Sequence, residues 1–231
     1  STDENAFKGV DRLFLLTPFD NRMVQFTEQL VLEAQRVGVK HIVKLSAMGA
    51  DTKSSLVAGR WHGEAEKLVA ESGIPCTILR PNMFMQNIVT FFADSICSEG
   101  KFYVPAGEGK VTFIDARDIA RVAVLALTKR GYSDKIYTIT GSEALSFSDV
   151  AKKLSMGLGQ IVSYVAVTPD QARESMGQAR MPSWMIEAML ELYGAVRAGH
   201  LSVVFKDYEQ VMGKKPTAFA EFVRDYKPQL M

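Results

Sequence analysis

A chain of 231 residues that is 47% hydrophobic and 23% charged can bury a full core as one domain, or one domain with a small lobe. Its 27 lysines and arginines nearly balance 26 aspartates and glutamates, so there is no basic field for nucleic acid and no cationic stretch for a membrane surface. No apolar run approaches the roughly 20 residues of a membrane span and no signal peptide leads the chain, which leaves small molecules or other subunits as partners.

Arg12 to Thr17 (RLFLLT) is an apolar run between Gly9-Val10-Asp11 and Pro18, and it predicts a strand. It lacks alternation, so both of its faces should be covered. Met23 to Val37 places Phe26, Leu30, Val31 and Ala34 at helical spacing and stops at Gly38. His41 to Leu45 predicts the next strand. Trp61 to Ser72 predicts a helix stopped by Gly73, Cys76 to Leu79 a buried strand, and Met83 to Cys97 another helix. Strands alternating with helices of this length imply parallel βαβ units, hence an α/β fold.

Beyond residue 100 the pattern changes. Gly107 and Gly109 mark a turn before a strand at Val111 to Ile114, and Asp115 to Thr128 is a helix with Ile119, Val122, Ala123 and Ala126 on its apolar face. Lys135 to Thr140 predicts a strand, and Ser146 is a good N-cap for the helix after it. A short strand at Val162 to Val167 and helices near Pro169 to Met176 and Pro182 to Arg197 suggest a smaller substrate-side lobe. The expected division is 1–159 for a partial Rossmann-like domain and 160–231 for that lobe, interleaved with it.

Ligands of open α/β sheets bind outside the carboxyl ends of the strands, where Arg80, Asn82 and Asn87 crowd. Arg80 suits either a phosphate or a structural ion pair, and Asn82 suits either a substrate carbonyl or a helix cap. Asp115 and Asp118 flank Arg117, a pattern expected of a local ion pair at a helix start. Met48, Met83, Met85, Trp184 and Met189 supply side chains that suit either a planar apolar ligand or the core. Cys76 and Cys97 have no framework spacing, which fits a reducing compartment, and no His, Cys or carboxylate cluster fits a metal.

A nucleotide-binding sheet normally opens with a glycine-rich turn whose amides hold a pyrophosphate. No G-x-G-x-x-G occurs in this chain, and the G-x-G at Gly107 and Gly109 precedes a strand instead of a helix. Ser1 stands where an initiator methionine would, which leaves open a processed product, an engineered chain or an incomplete sequence.

Gly9-Val10-Asp11 before RLFLLTP, HIVKLSAMGA at 41–50, His62-x3-Glu66 followed by SGIPCTILRPNMFMQN, and GKVTFIDARDIARVAVLAL at 109–127 resemble NmrA-like proteins, atypical short-chain dehydrogenase/reductases. GKKPTAFAEFVRD at 213–225 resembles that family's ending. The resemblance implies a Rossmann-like parallel sheet with helices on both faces, N-terminally truncated by about three strands that hold adenine and pyrophosphate in relatives. It further implies an NAD(P)H-dependent reductase acting on a small apolar acceptor such as a quinone, in the cytoplasm, with NADP or NAD as cofactor. The alternative is a non-enzymatic cofactor sensor or interaction module.

By the same resemblance Thr17, Pro18, Ser46, Ala47, Met48, Arg80 and Pro81 would contact the cofactor. Phe19, Asn82, Met83, Phe84 and Asn87 would contact substrate. His62 and Glu66 stand where a Tyr-x3-Lys pair is typical, and four residues apart on a helix the carboxylate could orient the ring or stabilise the imidazolium. A surface histidine with a helical neighbour is the other reading. Without a first-strand partner Arg12 to Thr17 becomes an open edge, to be covered by a homo-oligomer or another partner.

Overall fold

The computed structural model describes residues 7–231, so Ser1 lies outside it. In chain order the elements are β1 (Arg12–Leu15), α1 (Met23–Val37), β2 (His41–Leu45), α2 (Val57–Glu71), β3 (Cys76–Pro81) and α3 (Gln86–Glu99). Then follow β4 (Lys101–Val104), β5 (Lys110–Val111), α4 (Ala116–Thr128), β6 (Lys135–Ile139), β7 (Leu145–Ser146) and α5 (Phe147–Leu158). β8 (Ser163–Ala166), α6 (Pro169–Gln178), α7 (Ser183–Arg197), α8 (Asp207–Met212), α9 (Phe219–Tyr226) and a short 3-10 turn (Lys227–Gln229) complete the order.

Two compact units share the chain. The first holds the described residues up to Pro81 together with Ile119–Ile139, and the second holds Asn82–Asp118 and Thr140–Met231. The chain crosses between the units at 81, 118 and 139. The reason is that β6 pairs with β3 through Thr77↔Lys135 to Pro81↔Ile139, which pulls a late segment into the first sheet.

That sheet is parallel, in the order β1-β2-β3-β6. Leu15, Ile42 and Ile78 project to one face and pack with Val31 and Ala34 of α1 and Val69 of α2. Val43 and Leu79, of opposite parity, are also fully buried, so both faces of the central strands are covered. In α4, Ile119, Val122, Ala123 and Ala126 are all buried, and Arg12 Nη1 donates to the Leu127 carbonyl at 2.5 Å. This is the α/β Rossmann-like architecture that the alternation of strands and helices implies.

In the second unit β4 pairs in parallel with β8, and β5 pairs antiparallel with β7. Ser146 caps α5 through a reciprocal box with Asp149, at 3.1 Å in each direction. The helix expected from Met83 begins only at Gln86. Residues 83–85 are held by Ile114 instead, through Ile114 N to Met83 O at 3.0 Å and Met85 N to Ile114 O at 2.9 Å. The strand expected to Ile114 ends at Val111, and the next amide, Thr112 N, donates to Leu201 O at 3.1 Å.

Candidate active site at the carboxyl ends of the sheet

Parity decides what meets at the ends of the first sheet. Leu15, Lys44 and Ile78 are in register across β1, β2 and β3. One pleat further along the same face come Thr17, Ser46 and Arg80. The face that is apolar where α1 and α2 sit on it therefore turns polar at its carboxyl end, below the first turns of α2. Gly59 and Gly63 let that helix approach: a Cβ at Gly63 would overlap the backbone of Asp51 and Thr52.

Glu66, 8% exposed, is the hub of this cluster. It accepts from Ser46 Oγ at 2.5 Å, from Arg80 Nε at 2.9 Å and from Arg80 Nη2 at 2.5 Å. The bidentate hydrogen bonds raise the Arg80 pKa against the effect of its burial. Arg80 thus makes an ion pair with Glu66 through Nε and Nη2. The hydrogen bonds of the Glu66 carboxylate go to Ser46 and Arg80, and His62 Nδ1 is not among its partners.

His62 is left with a buried Nδ1 that has no hydrogen-bond partner. Burial, and then the charge of Lys44, push its pKa down from 6.5 to about 4, so the imidazole is neutral near pH 7. An imidazolium acid, the role suggested by the sequence, is therefore not the resting form. Trp61, the neighbour of His62 on the chain, packs against Phe19 with ring centroids 5.9 Å apart.

Lys44 was not singled out by the sequence reading. It is fully buried, and its ammonium donates to the Leu45 carbonyl at 2.6 Å and to Thr17 Oγ1 at 3.3 Å. Burial lowers its pKa from 10.5 to about 8, partly offset by Glu66. The signal was present, since a lysine inside the apolar run HIVKL must send its side chain to the face shared by Ile42 and Ser46.

The strand-end backbone is partly spent. Ser46 N donates to Leu79 O at 2.7 Å and Met48 N to Pro81 O at 2.8 Å, extending the β2–β3 ladder, while Ala47 O accepts from Ala50 N at 3.1 Å. Pro18 follows the buried Thr17 at the exit of β1.

Asn82, Met83, Phe84 and Asn87 belong to the second unit. Asn82 is buried; its amide donates to Thr112 Oγ1 at 2.6 Å and to Leu201 O at 2.9 Å, and its Oδ1 accepts from Met83 N at 2.8 Å. Its hydrogen bonds tie three loops together, and it does not cap a helix. Met83, Phe84 and Asn87 are half-buried. Asp115 is buried against Arg117, with the guanidinium pulling its pKa down despite burial, and Asp118 accepts from Tyr208 Oη and Thr217 N, both at 2.6 Å. Both aspartates are structural, as expected. Among the described residues no group of three His, Cys, Asp or Glu could hold a metal, and no helix is long and apolar enough to cross a membrane.

The profile of the NmrA-like family matches residues 2–223. The chain belongs to the NmrA-like family. Among its relatives, the NAD(P)H azoreductase of Xenophilus azovorans is 43% identical over 95% of this chain and 76% of its own length. Quinone oxidoreductase 2 of Escherichia coli is 26% identical, over 95% of this chain and 76% of that protein. The crystal structure of the Escherichia coli NADPH-dependent quinone oxidoreductase complexed with NADPH superposes with a TM-score of 0.85 at 25% identity, covering 96% of this chain and 78% of that one.

A nicotinamide cofactor of this NmrA-like protein can be tested against the residues present. The buried, unpartnered Nδ1 of His62 at the strand ends fits a polar group of a ligand. The chain contains no glycine-rich pyrophosphate turn.

Proposed function

We propose that this protein is an NAD(P)H-dependent reductase of small planar apolar acceptors, with quinones and azo dyes as the substrate class. The observation that carries the reading is the neutral, unpartnered imidazole of His62 at the carboxyl ends of the sheet. The 43% identity to an NAD(P)H azoreductase supports reductase chemistry over a purely sensory role. Bound at the strand ends, the nicotinamide supplies the hydride. Thr17, Pro18, Ser46, Ala47, Met48 and Pro81 would face its ribose side, and Phe19 would offer an apolar surface to the acceptor.

His62 acts as a neutral group. Its nitrogen donates a hydrogen bond to charge developing on the acceptor, in a site dry enough for that bond to count. Glu66 and Arg80 act one step removed: they fix Ser46 and the strand ends, and so position His62's helix. Two free cysteines, one buried and one exposed, support a cytoplasmic location. The outer edge of β1, where Phe14 and Leu16 are 37% and 60% exposed, would be covered by a second copy or another chain.

The test is a fluorescence titration of the protein with NADPH and NADH, followed by oxidation with a simple quinone and an azo dye. Binding with turnover is expected, and His62→Gln should lower kcat on the order of 10²-fold with little change in cofactor affinity. No binding at millimolar cofactor overturns the reductase reading, and unchanged turnover in His62→Gln removes His62 from it.

A further inference from the structure

At the opposite end of the same sheet lies a depression of about 400 Å³ that the reductase chemistry does not use. Its walls come from the entries to β1, β2 and β3 and from the loop between α4 and β6. Arg12, Lys40, Lys129 and Arg130 line it against a single carboxylate, Asp11. The whole chain carries a formal charge of +1, so this wall concentrates positive charge well beyond the average of the surface. We propose that this depression is a second binding site, for a small anion bearing two or more phosphate charges.

The disposition of each cation supports this. Lys40 is taken by Asp11 at 2.6 Å. Arg12 spends one N–H on the Leu127 carbonyl at the end of α4, which leaves the rest of its planar fork for a ligand. Lys129 and Arg130 make no side-chain hydrogen bond or ion pair to any described residue, and both are exposed. A helix C-terminus favours a cation, but Arg12 already serves the carbonyls there, so Lys129 and Arg130 are in excess of what the helix end needs. Asp134 is not part of the wall and turns its carboxylate toward the Cys76 amide at 3.4 Å.

His41 forms the floor. It is 6% exposed and hydrogen-bonded to Thr77 Oγ1 at 3.0 Å, and burial and Arg12 hold its pKa below the usual value, so it adds a rigid neutral surface. Gly131, at φ +91°, turns the loop without a side chain to fill the space. A concave wall with an anchored guanidinium and two cations unpaired among the described residues suits a compact polyphosphate, which can reach several of them at once. A flat basic face would suit a nucleic acid better.

The experiment uses inorganic pyrophosphate as the probe, followed by amide NMR of the intact protein at about 50 mM ionic strength, where surface electrostatics are weakly screened. Saturable shifts at residues 129–133 and at Arg12 and His41 are expected. The double variant Lys129→Ala/Arg130→Ala should weaken binding at least about tenfold, and the control Lys214→Ala/Lys215→Ala, two exposed lysines elsewhere, should not. Thermal unfolding checks that both variants fold. Three outcomes overturn the site: shifts that do not saturate or lie elsewhere, equal weakening by the control pair, or tighter binding of a short DNA duplex than of pyrophosphate. None of these outcomes depends on nicotinamide binding, so this site and the reductase reading can fail separately.

Discussion

Lys44 carries a positive charge into a fully buried place with no carboxylate in hydrogen-bond contact. Its pKa of about 8, against 10.5 in water, says that folding disfavours the charged form, while the unfolded chain keeps its proton to higher pH. Lys44→Met should therefore raise stability at pH 7 by about 1–3 kcal/mol, read by urea unfolding, and the difference should shrink as pH rises from about 8 to 10. A loss of stability would mean that the bonds to Leu45 and Thr17 outweigh desolvation. His62 obeys the same sign. The folded protein keeps it neutral down to about pH 4, whereas the unfolded chain protonates it near 6.5, so acidification through that window destabilises the fold. Against His62→Gln the wild type should lose on the order of 2–3 kcal/mol between pH 7 and pH 4. Parallel stability curves would show that His62 titrates normally. If neutral His62 serves the reaction, kcat should also be flat from about pH 5.5 to 7.5, and a fall with a midpoint near 6.5 would point to an imidazolium instead.

Helix α2 shows how an element brings residues together that are far apart in sequence. Its glycines are unfavourable for an isolated helix, and Gly63→Ala would gain about 1 kcal/mol of propensity in solvent. Here the added methyl would overlap the backbone at Asp51 and Thr52, so the substitution should destabilise the protein by about 1–3 kcal/mol in chemical denaturation. A neutral or stabilising result would show that the loop at 51–52 yields freely. The same close approach places Glu66 within reach of Ser46 and Arg80. The helix spacing of His62 and Glu66 is legible in the sequence, yet their interaction is not, because competition from Arg80 and Ser46 depends on strand parity and on how close the helix sits. The existence of α1, α4 and the capped α5 is legible because each depends on its own periodicity and end residues. β4 escaped notice because KFYV is short and alternates only once, and it is a strand because β8 pairs with it.

For the molecule as a whole, balanced charge has a consequence of its own. With a pI near 7.7 and a formal charge of +1, the protein has little net repulsion at neutral pH. Solubility should pass through a minimum between about pH 7 and 8 and recover below pH 6, as measured by light scattering across a pH series. The exposed Phe14 on β1 and Leu16 just after it add an apolar contribution, so Leu16→Lys should reduce scattering at the minimum; unchanged scattering would remove this edge as its cause.

By itself the sequence determined the alternation of strand and helix, the parallel sheet, the family resemblance, and the polar strand-end residues from Thr17 to Pro81, because each follows from local periodicity or from contiguous motifs. Only the tertiary structure decided which of those polar groups are spent on one another. Glu66 goes to Arg80 and Ser46, Asn82 to Thr112 and Leu201, and Lys44 to Leu45 and Thr17. His62 alone among these keeps a buried nitrogen without a partner. Lys44 and Leu45 apart, these partners lie 14 to 119 positions from one another and are settled by which faces and pleats meet, and no local pattern carries that information.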